Sequence, residues 1–312
     1  MSLWRKYAWV AYTAVFLGVI GHASSEFVAV LSKVKGPELS VWRFLLGGCG
    51  LVLLALLMPS ARNLAAPFRT HGVRLVLLSL FGVSLGYLLF HWSLDYASVP
   101  QVATTVTTIP ILVGLINLWL NKQPFGAAKV VTGIAAFLGV TLLITDGYLA
   151  KLAGSSQNLI GVFMALGCAA VVGVYTVMVR PIIAQYGAMR ITAITMMLGA
   201  VGLWVAVGVF WNIWVNPLTL LDRPASQAAA LVTIGFYNTT ITQFLWIGGL
   251  AAVPDITRGS YLFFLKPVIA ATLAVLFLAQ HLSSLEVVAI AVICSSVVIE
   301  ANWQRLFVRA RA

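Results

Sequence analysis

Apolar residues in this chain are gathered into ten long runs, each close to the length that crosses a bilayer. A transmembrane α-helix needs about 20 mainly apolar residues. The breaks between runs carry helix-ending residues, as in Gln123-Pro124 and Asn216-Pro217. The pattern therefore predicts ten membrane-spanning helices, at about 8–31, 39–58, 73–93, 99–120, 126–145, 157–179, 190–213, 226–249, 256–278 and 284–302.

Composition excludes a soluble or a disordered chain. Hydrophobic residues make up 61% of the 312 residues, charged residues make up 9%, and the mean hydropathy is +1.01. Soluble domains are about 45–50% apolar and about 25% charged, and disordered chains are low in hydrophobicity. We therefore expect an all-α integral membrane protein with short loops.

The net charge of +11 comes from basic residues in the short linkers between runs, so it indicates orientation and not nucleic-acid binding. Lys and Arg accumulate on the cytoplasmic side of membrane proteins. One side of the ten runs carries 13 of the 19 basic residues and the other carries 4, while Arg43 and Lys266 lie inside runs. Both termini are therefore predicted to be cytoplasmic.

Two spacings recur in the two halves of the chain. Pro110–Gln123 matches Pro267–Gln280 at thirteen residues, and Phe90–Pro100 matches Phe244–Pro254 at ten. Five runs per half make the second half enter the membrane from the opposite side. Such inverted-topology repeats are common in secondary transporters, whose substrate site lies at the repeat interface near the bilayer midplane. We expect five-helix halves at 1–150 and 151–312 within one transmembrane domain.

The residues that carry a family resemblance are Gly21, Pro37 and Arg43, together with the two proline–glutamine segments. On these residues the chain resembles the drug/metabolite transporter superfamily, EamA-type, over about residues 8–303. Within that superfamily it is most similar to bacterial aromatic amino acid exporters (YddG-like). Members often have Gly-Glu where this chain has Lys122-Gln123, so the resemblance does not carry over a glutamate-based coupling.

The resemblance implies a monomeric, multi-pass exporter of the bacterial inner membrane with a central cavity. It implies small-molecule substrates, most of all amino acids with aromatic or other bulky apolar side chains. A nucleotide-sugar or a drug-like metabolite is the alternative substrate, and the buried Lys266 argues against a cationic drug.

Lys266 is the sharpest candidate for substrate binding. A charge near the bilayer centre costs at least ~2.5–3.5 kcal/mol, and Lys266 lies about ten residues, or ~15 Å, into the ninth run. Pro267 follows it and frees a backbone carbonyl. We predict that the ammonium binds a substrate carboxylate; the alternative is a structural ion pair with Glu26 or Glu300. Arg43, one turn into the second run, is expected to snorkel outward.

Further polar and aromatic residues are candidates to line the substrate path. His22 and Glu26 are i, i+4 neighbours on one helix face. His22 is a candidate for substrate binding, and both residues are candidates for proton coupling. The alternatives are a solvated pair near the outer interface, polar packing between helices, and anchoring of Tyr and Trp at the interface. The other candidates are Tyr87, His91, Trp92, Thr104, Thr108, Tyr175, Asn238, Thr242, Trp246 and Tyr261.

Enzyme and channel functions find little support in the sequence. The motif H-E-x-x-H is absent, and Cys49, Cys168 and Cys294 have no metal-ligand spacing. We therefore expect no catalytic residues, no metal and no cofactor. A channel usually has a filter loop or a ring of like residues, and none is found. The sequence favours a carrier that works by alternating access around a central cavity.

Overall fold

The computed structural model describes residues 6–93, 95–97, 102, 105–124, 126–145, 156–278 and 283–303, and these residues contain no β-strand. In the first half the helices are α1 (Ala8–Ser32), α2 (Gly36–Leu57), α3 (Phe68–Leu77), α4 (Gly86–Ser93), α5 (Ile109–Asn121) and α6 (Ala127–Thr145). The remaining helices are α7 (Ser156–Tyr186), α8 (Ala188–Trp211), α9 (Ala225–Gly235), α10 (Thr242–Ala252), α11 (Ile256–Tyr261), α12 (Lys266–Leu278) and α13 (Ser284–Trp303).

Three of these helix pairs are continuous rods with a change of helix type inside them. A first π segment (Leu78–Leu85) joins α3 to α4, and a second π segment (Phe236–Ile241) joins α9 to α10. A 3₁₀ turn (Leu262–Leu265) joins α11 to α12.

Several of the described helical stretches are long and apolar enough to cross a bilayer, which makes this a multi-pass, all-helical membrane protein. Six stretches meet that standard: Ala8–Ser25, Gly36–Leu57, Phe68–Ser93, Leu159–Tyr186, Ala188–Trp211 and Ser284–Trp303. The count of ten spans and the cytoplasmic position of the termini stay predictions.

Local chemistry fixes the first turns of several helices. Proline occupies the start of α2 at Pro37 and of α5 at Pro110, where its missing N–H would have had no partner in any case. Asp255 caps α11, because its carboxylate accepts from the backbone N–H groups of Thr257 and Arg258 at 3.0 and 3.2 Å.

Glycines allow the closest helix contacts in the bundle. A Cβ atom at Gly21 in α1 would lie 1.9 Å from Oγ1 of Thr242, at the start of α10. A Cβ at Gly47 in α2 would lie 2.4 Å from Cγ2 of Thr239 in the second π segment. Small residues let helix backbones approach in this way within a bilayer, so both contacts depend on glycine.

The two π segments make similar contacts across the bundle. Ser84 in the first donates to the carbonyl of Gly199 in α8 at 2.7 Å, and Thr240 in the second donates to the carbonyl of Gly47 in α2 at 2.8 Å. The offset of 154 residues that aligns Phe90 with Phe244 brings residues 82–85 onto 236–239. When the two halves are aligned with this offset, the two π segments therefore overlap over four residues.

Candidate substrate site

A cavity inside the bundle is bordered by residues of α1, α2, α4, α5, α7, α10 and α12, with the turns that precede α5 and α12. Its volume is about 50 Å³. On this measure one water occupies about 10–15 Å³, whereas pockets for drug-sized ligands measure about 300–1,000 Å³. The cavity in this conformation therefore has room for a few waters. Its chemically notable lining residues are His22, Arg43, Tyr87, Trp246, Phe263 and Lys266.

Arg43 is buried at the cavity, so the expectation that it snorkels outward is wrong. Only 4% of the residue is exposed. Its guanidinium donates through Nε to Oγ1 of Thr239 at 3.0 Å and through Nη2 to the carbonyl of Asn238 at 3.2 Å. The physical reason is the length of α2, which begins at Gly36 and not at residue 39. Arg43 therefore lies two turns inside the helix and meets the second π segment.

Lys266 borders the same cavity at the first residue of α12. Its Nζ lies 5.9 Å from the centre of the Phe263 ring. Glu300, one of the structural partners considered for this lysine, instead accepts two hydrogen bonds from Nε of Arg258 at 3.0 and 3.1 Å, so that alternative is wrong. The side chain of Glu26, the other partner considered, lies outside the described part of the structure.

An aromatic wall stands beside the two cations. The ring of His22 meets the ring of Trp246 edge-on, with 5.7 Å between centres, and lies 5.9 Å from Phe263. Trp246 and Phe263 are themselves 5.2 Å apart. Nε2 of His22 is buried and has no hydrogen-bond partner among the described residues, so it is available to a group entering the cavity.

The stripe of Asn238, Thr242 and Trp246 divides between helix packing and the cavity. Asn238 donates through Nδ2 to the carbonyl of Gly21 at 2.7 Å and to Oγ of Ser24 at 2.9 Å. Thr242 packs on Gly21 and donates to the carbonyl of Tyr237 at 2.9 Å. Trp246 alone of the three borders the cavity.

Gln243 is a site residue that the helical spacing did not single out. Its Nε2 donates to the hydroxyl of Tyr87 at 2.6 Å, and Tyr87 borders the cavity. The Oε1 of Gln243 and the Oδ1 of Asn238 are buried without partners among the described residues. Both residues lie outside the lining and contact it, Asn238 through Arg43 and Gln243 through Tyr87.

The other predicted residues lie away from the described cavity lining. His91 bonds through Nδ1 to the hydroxyl of Ser40, Trp92 packs on Trp211 with 4.7 Å between ring centres, and Tyr175 bonds to Thr195 at 2.8 Å.

Two further candidates make bonds of their own. Tyr261 donates to the carbonyl of Lys129, in the first turn of α6, and Thr108 donates to the carbonyl of Thr105 at 2.7 Å. Thr104 and Gln280 lie outside the described residues.

An ion-pair network closes one end of the bundle. Lys129 contacts Asp255 at 2.6 Å, and Arg258, three residues further on, pairs with Glu300. Partial burial acts to raise the pKa of the Asp255 carboxyl. The hydrogen bonds from Lys129 and from the Arg258 backbone, with the charges of both residues, outweigh burial, so this pKa is lowered from its ordinary value.

The opposite end of the bundle is held by a second ion pair. Arg223, which follows α8, contacts Glu38 at the start of α2 at 3.2 Å. The same carboxylate accepts from Nε1 of Trp42 at 3.2 Å, and the Arg223 guanidinium lies 5.1 Å from the Trp42 ring centre. The cavity therefore lies in a bundle that is tied by ion pairs at both ends.

Comparison with known proteins agrees with this architecture. The EamA-like transporter family matches the chain twice, over residues 4–145 and 159–300. An uncharacterized transporter of Clostridium kluyveri is 22% identical over 89% of this chain and 87% of its own length. Uncharacterized transporter YyaM of Bacillus subtilis is 25% identical over 82% of this chain and 80% of its own.

A solved structure, titled "Crystal structure of protein", has a similar fold, with a TM-score of 0.79 at 18% identity. The similarity covers 97% of this chain and 99% of that one.

A membrane-spanning helical bundle with a buried polar cavity is the architecture of a carrier. The chain belongs to the EamA-like transporter family, within the drug/metabolite transporter superfamily. Membership of this family makes the protein a transporter, a different kind of protein from an enzyme, and its partners are a small-molecule substrate and the lipid bilayer.

Proposed function

We propose that this transporter exports small metabolites by alternating access, with aromatic and other bulky apolar amino acids as its main substrates. The proposal includes ten spans in two inverted halves, residues 1–150 and 151–312, with both termini in the cytoplasm. It also includes a monomeric state in a bacterial inner membrane. The double family match supports the two-half arrangement, and the overlap of the two π segments is consistent with it.

The observation that carries the substrate proposal is the pair of cations at an aromatic cavity. Arg43 and Lys266 both border it, and no carboxylate is among the lining residues that the structure describes. Such a site favours a substrate that brings a negative group, because two positive charges attract a carboxylate strongly in an interior of low dielectric constant. The carboxylate of an amino acid supplies that group.

The same sequence feature opens two helices at the cavity. Ile109 begins α5 and Lys266 begins α12, and both border the cavity. Pro110 and Pro267 follow these two residues, so corresponding positions of the two halves contribute to the lining.

The remaining groups suit the rest of an amino acid. Trp246, Phe263 and Tyr87 offer ring surfaces for an aromatic or bulky apolar side chain. The unpartnered oxygens of Asn238 and Gln243 lie behind the lining in this conformation, and they would accept from an ammonium group once the bundle opens. Because the closed cavity is too small for any of these substrates, binding requires the bundle to open, as alternating access demands.

A nucleotide sugar is the second candidate substrate, because its diphosphate would also be attracted by two cations. A drug-like cation is disfavoured by the same charges. The size of the open cavity decides whether an amino acid or a nucleotide sugar fits, and transport measurements show which of the two is carried.

Reconstitution in liposomes with labelled compounds tests the proposal. We expect transport of phenylalanine and leucine, and none of phenethylamine, which has the same ring and ammonium but lacks the carboxylate. Protein-free liposomes are the control. Transport of phenethylamine at the rate of phenylalanine would contradict the proposal, and transport of UDP-glucose alone would replace it with the second candidate. Running the panel with and without a pH gradient tests coupling, for which His22 and Glu26 are the candidates.

A further inference from the structure

A groove on the outside of the bundle lies between the rod of α3 with the first π segment and helix α7. Its volume is about 850 Å³, which far exceeds that of the central cavity. One end is basic and the rest is apolar. The residues that give it this character are Arg69, His71, Arg74, Leu77, Phe81 and Met178.

Hydrogen bonds hold Arg74 and His71 in place at the basic end of the groove. Arg74 donates through Nη2 to the carbonyl of Met178 at 2.9 Å, across the groove. Its Nε is buried and has no hydrogen-bond partner among the described residues. His71 bonds through Nε2 to Gln185 at 3.0 Å, and the helix is kinked at His71, between the two arginines. No acidic residue is among the described residues that line the groove.

The apolar part continues toward the middle of the membrane. Arg69 and Phe81 are twelve residues apart, which is ~18 Å along a helix, or more than half the thickness of the hydrocarbon core. The side chains of Leu77 and Phe81 are 48% and 59% exposed. An extended acyl chain has a comparable length, so the groove can take a headgroup at one end and a chain along the rest.

We propose that this groove is a binding site for an anionic phospholipid. The phosphate of the headgroup would lie on the guanidinium groups of Arg69 and Arg74, and an acyl chain would cover Leu77, Phe81 and Met178. Basic pockets at the headgroup level between helices bind anionic lipids on this principle. The site is separate from the central cavity and does not depend on which substrate is transported.

Thermal unfolding of the full-length, delipidated protein in detergent tests this site. Phosphatidylglycerol is expected to raise the unfolding temperature in a saturable way, and equal phosphatidylcholine is not. Each arginine near a membrane surface contributes about fivefold to anionic lipid binding. The half-saturating concentration should therefore rise about fivefold in Arg69→Gln and about thirtyfold in the double variant with Arg74→Gln.

Two further variants separate the proposal from its competitors. Arg62→Gln removes an exposed charge six residues before the first residue of the groove and outside its lining, and it should leave the response unchanged. Val174→Trp adds bulk to the apolar part without altering charge, and it should weaken the response to phosphatidylglycerol even if the Arg74 variant fails to fold. Equal effects of Arg62→Gln and Arg69→Gln would overturn the proposal. So would an equal response to phosphatidylcholine, or the full response from inorganic phosphate alone.

Discussion

Replacing Lys266 by methionine keeps the length of the side chain and removes one of the two charges at the cavity. A hydrogen bond to a charged group contributes about 1.5–3 kcal/mol, and about 1.4 kcal/mol corresponds to a factor of ten. If the ammonium binds the substrate carboxylate, the transport efficiency for phenylalanine should fall about 10-fold to 150-fold. Stability should be kept, because a charge that costs ~2.5–3.5 kcal/mol to place in the membrane is gone.

The same change at Arg43 should have a different signature. Arg43→Met removes the hydrogen bonds to Thr239 and Asn238 as well as a cation at the cavity. We therefore expect a lower unfolding temperature together with lower transport, whereas Lys266→Met lowers transport alone.

Initial rates of phenylalanine uptake into liposomes, paired with thermal unfolding in detergent, distinguish these outcomes. Lys35→Met is the matched control, because Lys35 is exposed at the start of α2, and it should leave both measurements unchanged. Near-normal uptake by a stable Lys266→Met protein would refute the assignment of Lys266 to substrate binding.

Four further outcomes are expected. In a variant whose only cysteine is Cys168, which borders the cavity, a small thiol reagent should react slowly and phenylalanine should change the rate; the same rate with and without substrate would argue against an opening cavity. Gly21→Ala should destabilise the fold by about 1–3 kcal/mol through overpacking and so lower its unfolding temperature, whereas Gly126→Ala, with open space around it, should not. Because the pKa of Asp255 is lowered, its contribution to stability should be complete above the ordinary value of 3.8 and should be lost as pH falls through the lower pKa of the folded state. The Asp255→Asn protein should therefore lose less stability on acidification than the unchanged protein, and equal losses in the two proteins would contradict this expectation. Reporter fusions at residue 65 and at the C-terminus should report a cytoplasmic position, and a fusion at residue 152 should report a periplasmic one. The reverse readings would contradict the predicted orientation.

Hydropathy predicted the membrane class and the position of the long apolar helices, because a lipid-facing helix must be apolar over its full length. It could not predict the π segments, since an i→i+5 turn uses the same apolar and small residues as an α-helix. The prediction that Arg43 snorkels outward was wrong for a related reason. A linker with Lys35, Gly36 and Pro37 reads as loop, yet Gly36 and Pro37 already belong to α2.

The site was harder to predict than the helices. Periodicity gave the residues that share a helix face, among them Trp246, and the cost of a buried charge gave Lys266; both border the cavity. It could not say which neighbour each face meets. Thus Tyr261 bonds to the backbone of Lys129, and Gln243, which reaches Tyr87, was passed over because it flanks the regular stripe.

The second π segment has a consequence for how this rod could diverge between relatives. A π turn holds about one residue more than an α turn, and one residue of an α-helix corresponds to about 100° of rotation. A single insertion or deletion within 236–241 would therefore turn α10 as a block while α9 kept its contacts. Trp246 would leave the aromatic wall and Gln243 would leave Tyr87 at the same time, and other faces of α10 would replace them. A change of one residue in length would thus exchange a whole set of cavity side chains, which point substitutions could achieve only one position at a time.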